Sequence, residues 1–180
     1  MWNGRKWRQV DAPAPDGGHG QLSAVSCWSA KGCVAVGGYF RVRSLATSFV
    51  PMSESWNGRK WTPRKLPVSG AEPVPIDVSC VSATRCLTVG DSDNSLSTRY
   101  PIKGLADSWN GRAWKAVPVR VPSQGSGRGH GYALIGVTCA SATDCVTFGD
   151  AGRAVGADWY LTDPFAEHWN GKSLALIPDS

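Results

Sequence analysis

The sequence contains no apolar run near the roughly 20 residues that a membrane-spanning helix needs, so we expect no membrane span. Leu, Glu and Lys, which favour helices, are sparse. Turn formers and aromatic side chains are instead abundant, with 21 Gly, 12 Pro and 9 Trp among 180 residues. Many turns together with aromatic and β-branched residues predict an all-β protein built from short strands.

The N-terminus lacks both the apolar core and the cleavage pattern of a signal peptide, because it begins Met1-Trp2-Asn3-Gly4-Arg5. If the protein is exported, its signal is expected upstream of this sequence. The net charge is +5, but the cations form no basic stripe. We expect no nucleic-acid partner, because many cations occupy the tips of one repeated turn, where charges are usually solvated. These cations are Arg5, Lys6, Arg59, Lys60, Arg112 and Lys172.

Two motifs alternate along the chain and define an internal repeat. The tripeptide Trp-Asn-Gly begins at Trp2, Trp56, Trp109 and Trp169, at intervals of 54, 53 and 60 residues. Between its copies lies the spacing Cys-x5-Cys, at 27–33, 80–86 and 139–145, each preceded by Val-Ser or Val-Thr. Two independent motifs that recur in the same order indicate a tandem array of similar units.

Each unit is predicted to hold four strands. The first ends at the first Cys, the second runs from the second Cys to a Gly, the third ends at Trp-Asn-Gly, and a Pro follows the fourth. Asn-Gly favours a two-residue type I′ hairpin turn. The Trp residues on either side of it, such as Trp56 and Trp61, are expected to pack together. Leu174 replaces the second Trp in the last copy, where we expect weaker packing.

The six cysteines are expected to form the disulfides Cys27–Cys33, Cys80–Cys86 and Cys139–Cys145, because a hairpin brings facing residues within disulfide reach. Zinc ligation and free thiols in a reducing compartment are the alternatives. The residues His19, His130 and His168 keep no fixed spacing from the Cys pairs, so no metal or other cofactor is predicted. Disulfides predict an oxidising location, and hence a secreted or cell-surface protein.

The segments Val-Ser-Cys, Cys-Val-Ala-Val-Gly and Glu-Ser-Trp-Asn-Gly-Arg-Lys-Trp, at 25–27, 33–37 and 54–61, resemble a known repeat. It occurs in tandem in actinobacterial exported proteins, mostly of unknown function, regarded as β-propellers of the kelch or galactose-oxidase-like type. The resemblance covers roughly 21–178 and implies a fold but no particular activity. The turn at 55–61 is also similar to the Asp-box turn of sialidase-like propellers, which is structural; it is one residue shorter and has Asn for Asp.

We therefore expect three consecutive four-stranded antiparallel propeller blades at 21–70, 71–122 and 123–180, with the end of a preceding blade and a linker at 1–20. Closed propellers have 4–8 blades, so further blades of the same chain or a second copy are expected to close the ring. A β-trefoil, which also has three repeats of four strands, is the alternative fold. The long repeat period and the additional N-terminal Trp-Asn-Gly favour the propeller.

The segments that differ between copies lie between the second and third strands and are predicted to be loops. We expect binding residues in these loops, because equivalent loops of a propeller gather on one face. All three segments contain Arg and aromatic residues, which suit a glycan or protein ligand bound without catalysis. The alternative is that these aromatics only cover the edges between blades. The ligand-binding candidates are Tyr39, Arg41, Arg43, Asp91, Asp93, Arg99, Tyr100, Arg153, Trp159 and Tyr160.

No catalytic constellation is evident, and a propeller-type carbohydrate-active enzyme is the alternative function. A glycosidase needs two carboxylates at a fixed separation, and 14 acidic residues offer many pairs. A sialidase-like site would draw loosely on Arg41, Arg99, Arg153 and Tyr100. The segment that begins at Asp91 is not an EF-hand, because its sixth and twelfth positions are Leu96 and Ile102; an irregular calcium site stays open.

Overall fold

Twelve β-strands make up the described part of the chain. The computed structural model describes residues 4–15, 20–43, 46–67, 73–92, 102–120, 122, 130–155 and 158–178, and only the backbone of 42–43, 46, 153–155 and 158–162. The strands are β1 (Gly20–Ser29), β2 (Gly32–Arg43), β3 (Ala46–Trp56), β4 (Trp61–Lys65), β5 (Pro73–Ser82), β6 (Arg85–Ser92), β7 (Lys103–Trp109), β8 (Trp114–Val117), β9 (His130–Ser141), β10 (Asp144–Val155), β11 (Asp158–Trp169) and β12 (Leu174–Leu176). Within the described residues, no helix is long and apolar enough to cross a membrane.

The strands form three separate antiparallel sheets, each built from four consecutive strands paired in chain order. Sheet 1 holds β1 to β4, sheet 2 holds β5 to β8, and sheet 3 holds β9 to β12. The first strand of each later sheet packs against the first two strands of the sheet before it: β5 contacts β1 and β2, and β9 contacts β5 and β6. The repeats therefore stack as layers and do not merge into one barrel, which is at odds with the β-trefoil alternative.

Each sheet carries one disulfide between its first two strands, and the predicted pairing is confirmed. The S–S distances are 2.02 Å for Cys27–Cys33, 2.03 Å for Cys80–Cys86 and 2.11 Å for Cys139–Cys145. In every sheet the two cysteines face each other directly in the strand register. The disulfide therefore holds the register of the first hairpin.

The Trp-Asn-Gly turn is a four-residue loop and not the predicted two-residue type I′ turn. In sheet 1, Trp56 pairs with Trp61 across the turn, so four residues form the loop. The Oδ1 atom of Asn57 accepts hydrogen bonds from the backbone N–H groups two and three residues later, both at 3.0 Å. Asn110 and Asn170 accept equivalent bonds in sheets 2 and 3. The Asn side chain thus satisfies two backbone donors that the longer loop leaves without a strand partner.

The tryptophans that flank this turn pack together, as predicted. The ring centroids lie 5.4 Å apart for Trp56 and Trp61 and 5.5 Å apart for Trp109 and Trp114. In sheet 3, Leu174 takes the place of the second Trp and is fully buried between sheets 2 and 3. The expectation of weaker packing at Leu174 stays a prediction.

Two apolar cores lie between the sheets. One lies between sheets 1 and 2 and includes Val34, Val36, Val78, Trp109 and Trp114. The other lies between sheets 2 and 3 and includes Leu87, Val89, Leu134, Val137 and Leu174. Each core joins one face of a sheet to the opposite face of the next, because side chains alternate between the two faces of a strand. The two interfaces between sheets are therefore built from equivalent faces of the repeat.

The variable segments of sheets 1 and 3 are strands and not the predicted loops. β2 and β3 stay paired as far as Arg43 and Ala46, and β10 and β11 as far as Val155 and Asp158. Aromatic and β-branched residues, such as those at 39, 40 and 42, favour an extended backbone, so the hairpin continues past the Gly at which the second strand was expected to end. In sheet 2 the described part of the equivalent hairpin reaches Ser92 and Lys103.

Candidate functional site

A groove of about 300 Å³ lies between sheets 2 and 3, at the edge where the Trp-Asn-Gly turns and the first hairpins end. We call this edge the turn face. It is formed by the tips at 29–32, 57–60, 82–85, 110–113, 141–144 and 170–173. The groove wall combines aliphatic residues, two tryptophans and the Cys139–Cys145 disulfide with the hydroxyl-bearing residues Ser108, Ser141 and Thr143. Arg85 is exposed and supplies the positive charge of the wall.

One substitution between repeats explains why the groove is open here. Trp28, in β1, packs against the core between sheets 1 and 2. The equivalent position on β5, one residue after the first Cys of the sheet, holds Val81, which lines the groove. Valine is much smaller than tryptophan, so the space that an indole fills at the first interface is left open at the second.

The turn face is strongly cationic. Its six tips hold six basic residues, all exposed, and one acidic residue, Asp144. Asp144 Oδ1 lies 2.9 Å from His168 Nε2 and is engaged with that ring. The first-hairpin turns and the Trp-Asn-Gly turns both contribute basic residues, because both lie at the same ends of the strands. These residues are Lys31, Arg59, Lys60, Arg85, Arg112 and Lys172. A surface with this excess of one sign attracts anionic groups.

The groove wall contains no Asp, Glu or His. A glycosidase needs two carboxylates on either side of the scissile bond, and the described lining of this groove has no such pair. Among the described residues there is also no group of three or more His, Cys, Asp or Glu that could hold a metal ion. The chemistry that the groove offers is therefore apolar contact, hydrogen bonding and positive charge.

Three fully buried carboxyl groups occupy equivalent positions, two residues before the Trp of each Trp-Asn-Gly motif. Burial raises the pKa of Glu54 to about 7 and the pKa of Asp107 to about 6. Burial also raises the pKa of Glu167 to about 7, although Glu167 Oε1 accepts a 2.8 Å hydrogen bond from the backbone N–H of Arg120. Sequence reasoning did not single out these carboxyl groups, but their fixed place in the repeat was a usable signal. Since none of them reaches the surface, they form no open catalytic pair.

The structure places Tyr39 and Arg41 together on β2, away from the groove. Tyr39 is 4% exposed, and the Arg41 guanidinium lies 5.5 Å from the centroid of its ring and donates a hydrogen bond to its hydroxyl. Tyr39 also lines a small pocket of about 210 Å³ with Pro15 and Met52. With so little exposed surface, the Tyr39 ring acts in packing, and the exposed part of Arg41 is what remains for a ligand.

The remaining predicted ligand-binding residues are spread over all three sheets or lie outside the described residues. Asp91 is partly buried near the end of β6, opposite Val74 and Gly104. Arg43, Arg153, Trp159 and Tyr160 lie on strands, but their side chains are outside the described part of the structure. Asp93, Arg99 and Tyr100 lie outside the described residues altogether. A ligand-binding role for these residues stays a prediction.

No known protein family matches the chain, and no curated protein matches it. Among solved structures it matches YCF48 bound to D1 peptide, a β-propeller, with a TM-score of 0.50 and 13% identity. The chain has a propeller-like fold. The match covers 92% of this chain and 44% of the other, so the chain spans less than half the length of the structure that it matches. At this identity the likeness shows the fold alone.

Proposed function

We propose that this chain is a non-catalytic binding module that takes an acidic protein segment in the groove on its turn face. The observation that carries the proposal is the distribution of charge. The tips hold six exposed cations against one acid, and the groove wall holds Arg85 and no carboxylate. A partner that is negatively charged is steered to such a face, and a carboxylate that reaches Arg85 gains a charge-assisted hydrogen bond.

The groove suits a protein segment better than a sugar. Sugar recognition commonly uses the open faces of aromatic rings, but Trp109 and Trp169, which line the groove, are only 6% and 7% exposed. Val81, Leu87 and the Cys139–Cys145 disulfide supply an aliphatic wall instead. That wall fits an apolar side chain flanked by acidic residues. The YCF48 structure, which contains a bound peptide, is a precedent at the level of the fold.

We also propose that the three sheets are consecutive blades of an exported kelch-like propeller, with residues 1–20 as the end of a preceding blade. Three disulfides support an oxidising compartment, secreted or at the cell surface. The stacking of equal four-stranded sheets supports the assignment of blades. Rigid blades hold the groove between them in a fixed shape, which favours binding to a preformed site without a large change of the backbone.

The proposal is tested by measuring binding of a ten-residue peptide of Glu and Asp with one central Leu, by isothermal calorimetry. Arg85→Ala is expected to weaken binding about tenfold, because it removes one charge-assisted contact. The matched control is Lys103→Ala, which deletes the same charge at the opposite edge of sheet 2 and should leave the affinity within about twofold. Arg41→Ala tests the site predicted from the sequence in the same assay.

Three outcomes contradict the proposal. One is equal binding of a Gln and Asn version of the peptide, which would remove charge as the basis of recognition. Another is an unchanged affinity in Arg85→Ala. The third is a glycan array on which this protein binds neutral sugars while the acidic peptide shows no affinity.

A further inference from the structure

A cavity of about 480 Å³ lies between sheets 1 and 2, beside their fourth strands. Its lining holds three basic residues and no acidic residue: Arg64, Lys65 and Arg112. Arg64 and Lys65 come from β4, and Arg112 comes from the turn that precedes β8. Among the described residues, no carboxylate pairs with any of these three cations. The cavity wall is therefore positively charged and has no counter-charge within the described part of the chain.

Arg64 is the exception at its position in the repeat. It lies three residues after Trp61. The equivalent positions of the other copies hold aliphatic residues: Val10, Val117 and Ile177. Val117 is 7% exposed and belongs to the core between sheets 2 and 3. Since an aliphatic residue serves the common fold at this position, packing between the sheets does not require the charge of Arg64.

Two contacts fix the position of the Arg64 guanidinium. Its Cζ atom lies 5.3 Å from the centroid of a Trp109 ring, in a cation–π contact. Its Nε atom donates a 3.3 Å hydrogen bond to Ser55 Oγ. Within the described residues, the two terminal nitrogens of Arg64 have no hydrogen-bond partner. A guanidinium held by its face and by Nε keeps these two donors for a ligand and loses little conformational entropy when the ligand binds.

We propose that this cavity binds the phosphate group of a phosphate monoester. Arginine binds phosphate oxygens through paired N–H donors, and a phosphate monoester carries nearly two negative charges at neutral pH. Arg64 from sheet 1 and Arg112 from sheet 2 both line the cavity, so each sheet supplies a cation to the dianion. Pro63, Leu66 and Pro67 supply an apolar wall for the organic part of the ester.

This site goes beyond the proposed binding of an acidic segment and is independent of it. The groove and the cavity both include Trp109 in their linings, but they share no charged residue. Arg64→Val should therefore leave the affinity for the acidic peptide within about twofold. In the same way, Arg85→Ala should leave the affinity for a phosphate ester within about twofold. Failure of either proposal is thus seen in its own assay.

The experiment is isothermal calorimetry with phenyl phosphate at about pH 8, where the ester is a dianion because its second pKa is about 6. Arg64→Val copies the residue at Val117, so it should fold, and it should weaken binding about tenfold or more by removing paired charge-assisted bonds. Arg112→Ala, at an exposed turn position, should weaken binding about fivefold. Lys172→Ala is the matched control, with an expected change within about twofold, because Lys172 is the equivalent of Arg112 in sheet 3, where Ile177 replaces Arg64.

The choice of ligand tests the phosphate ester itself. Phenyl sulfate carries one negative charge and should bind at least about fivefold more weakly than phenyl phosphate. Inorganic phosphate should also bind more weakly than phenyl phosphate, because it has no apolar group to contact the wall. Equal or tighter binding of either probe would contradict a site for a phosphate monoester.

Three results with the variants and the wild type would also overturn the proposal. One is a wild-type protein that does not bind phenyl phosphate, and another is an unchanged affinity in Arg64→Val. The third is an equal loss in Lys172→Ala and Arg112→Ala, which would assign binding to the general charge of the turn face. Circular dichroism establishes that each variant is folded.

Discussion

The indole N–H of Trp114, on sheet 2, donates a 2.8 Å hydrogen bond to the hydroxyl of Ser53, on sheet 1. The same two positions at the next interface hold Leu174 and Ala106, which share the core between sheets 2 and 3. A buried donor with its acceptor at one interface is thus replaced by two apolar residues at the other. Both solutions leave no unsatisfied polar group at this contact.

Removal of the acceptor alone should therefore destabilise the protein. Ser53→Ala leaves the Trp114 N–H buried without a partner, and we expect a loss of about 1–3 kcal/mol in the free energy of unfolding. The double variant Ser53→Ala/Trp114→Leu should cost less than the sum of the two single changes, since it copies the pair found at the next interface. Urea unfolding of the four proteins gives the coupling energy. Strict additivity would contradict this account of the contact.

Stability should fall as the pH rises through the range set by the buried carboxyl groups. Burial raises the pKa of Glu54 and Glu167 from 4.5 to about 7, so the folded state holds its protons more tightly than the unfolded state. The stabilisation is fully present below pH 4.5 and is lost as the pH rises through about 7. At pH 8, Glu54→Gln should be more stable than the wild type by an amount on the order of 3 kcal/mol, with little difference at pH 4.5.

Thermal melts of Glu54→Gln between pH 4.5 and pH 8 measure this effect, with Asp163→Asn, which alters an exposed acid, as the control. A parallel pH dependence of Glu54→Gln and the wild type would show that Glu54 is ionised without cost in the folded protein. Ionisation without cost would mean that water reaches this carboxyl group in the folded protein.

Removal of a single disulfide should weaken the protein modestly without changing its fold. Replacement of Cys80 and Cys86 by Ala frees a loop of short sequence separation, and we expect a loss of about 2 kcal/mol. Denaturant unfolding with and without a reductant checks the value, because the reductant should have a smaller effect on the variant than on the wild type. A loss of cooperative unfolding in the variant would show that the disulfide is needed for the folded sheet and does more than hold the register of its first hairpin.

A side chain at Gly111 should destabilise the Asn-Gly turn of sheet 2. Its φ of +93° is strained for any other residue, and an added Cβ would lie 2.6 Å from Cγ2 of Thr84. Gly111→Ala should cost about 1–2 kcal/mol or more. Gly4 has a φ of +89° with open space around it, so Gly4→Ala isolates the backbone strain. Equal costs at the two positions, measured by urea unfolding, would mean that the contact with Thr84 relaxes freely.

Local patterns along the chain were enough to define the repeated units. Cysteine pairs with five residues between them and Trp residues on either side of a short turn are local constraints, so they predicted three four-stranded units and the disulfides Cys27–Cys33, Cys80–Cys86 and Cys139–Cys145. The sequence prediction failed where local signals are ambiguous. Asn-Gly suggested a two-residue turn, and differences between copies suggested loops where β2–β3 and β10–β11 form long hairpins.

The space between the sheets and the surfaces that stay open depend on how the sheets pack, which no sequence pattern showed. The groove exists because Val81 stands where Trp28 fills the preceding interface, a comparison that has meaning only once the two interfaces are known. The burial of Glu54, Asp107 and Glu167, and the exposure of Val25 and Phe148, also depend on what the neighbouring sheet covers. Packing between repeats joins residues more than 50 positions apart, such as Ser26 and Cys80, and no local pattern encodes that proximity.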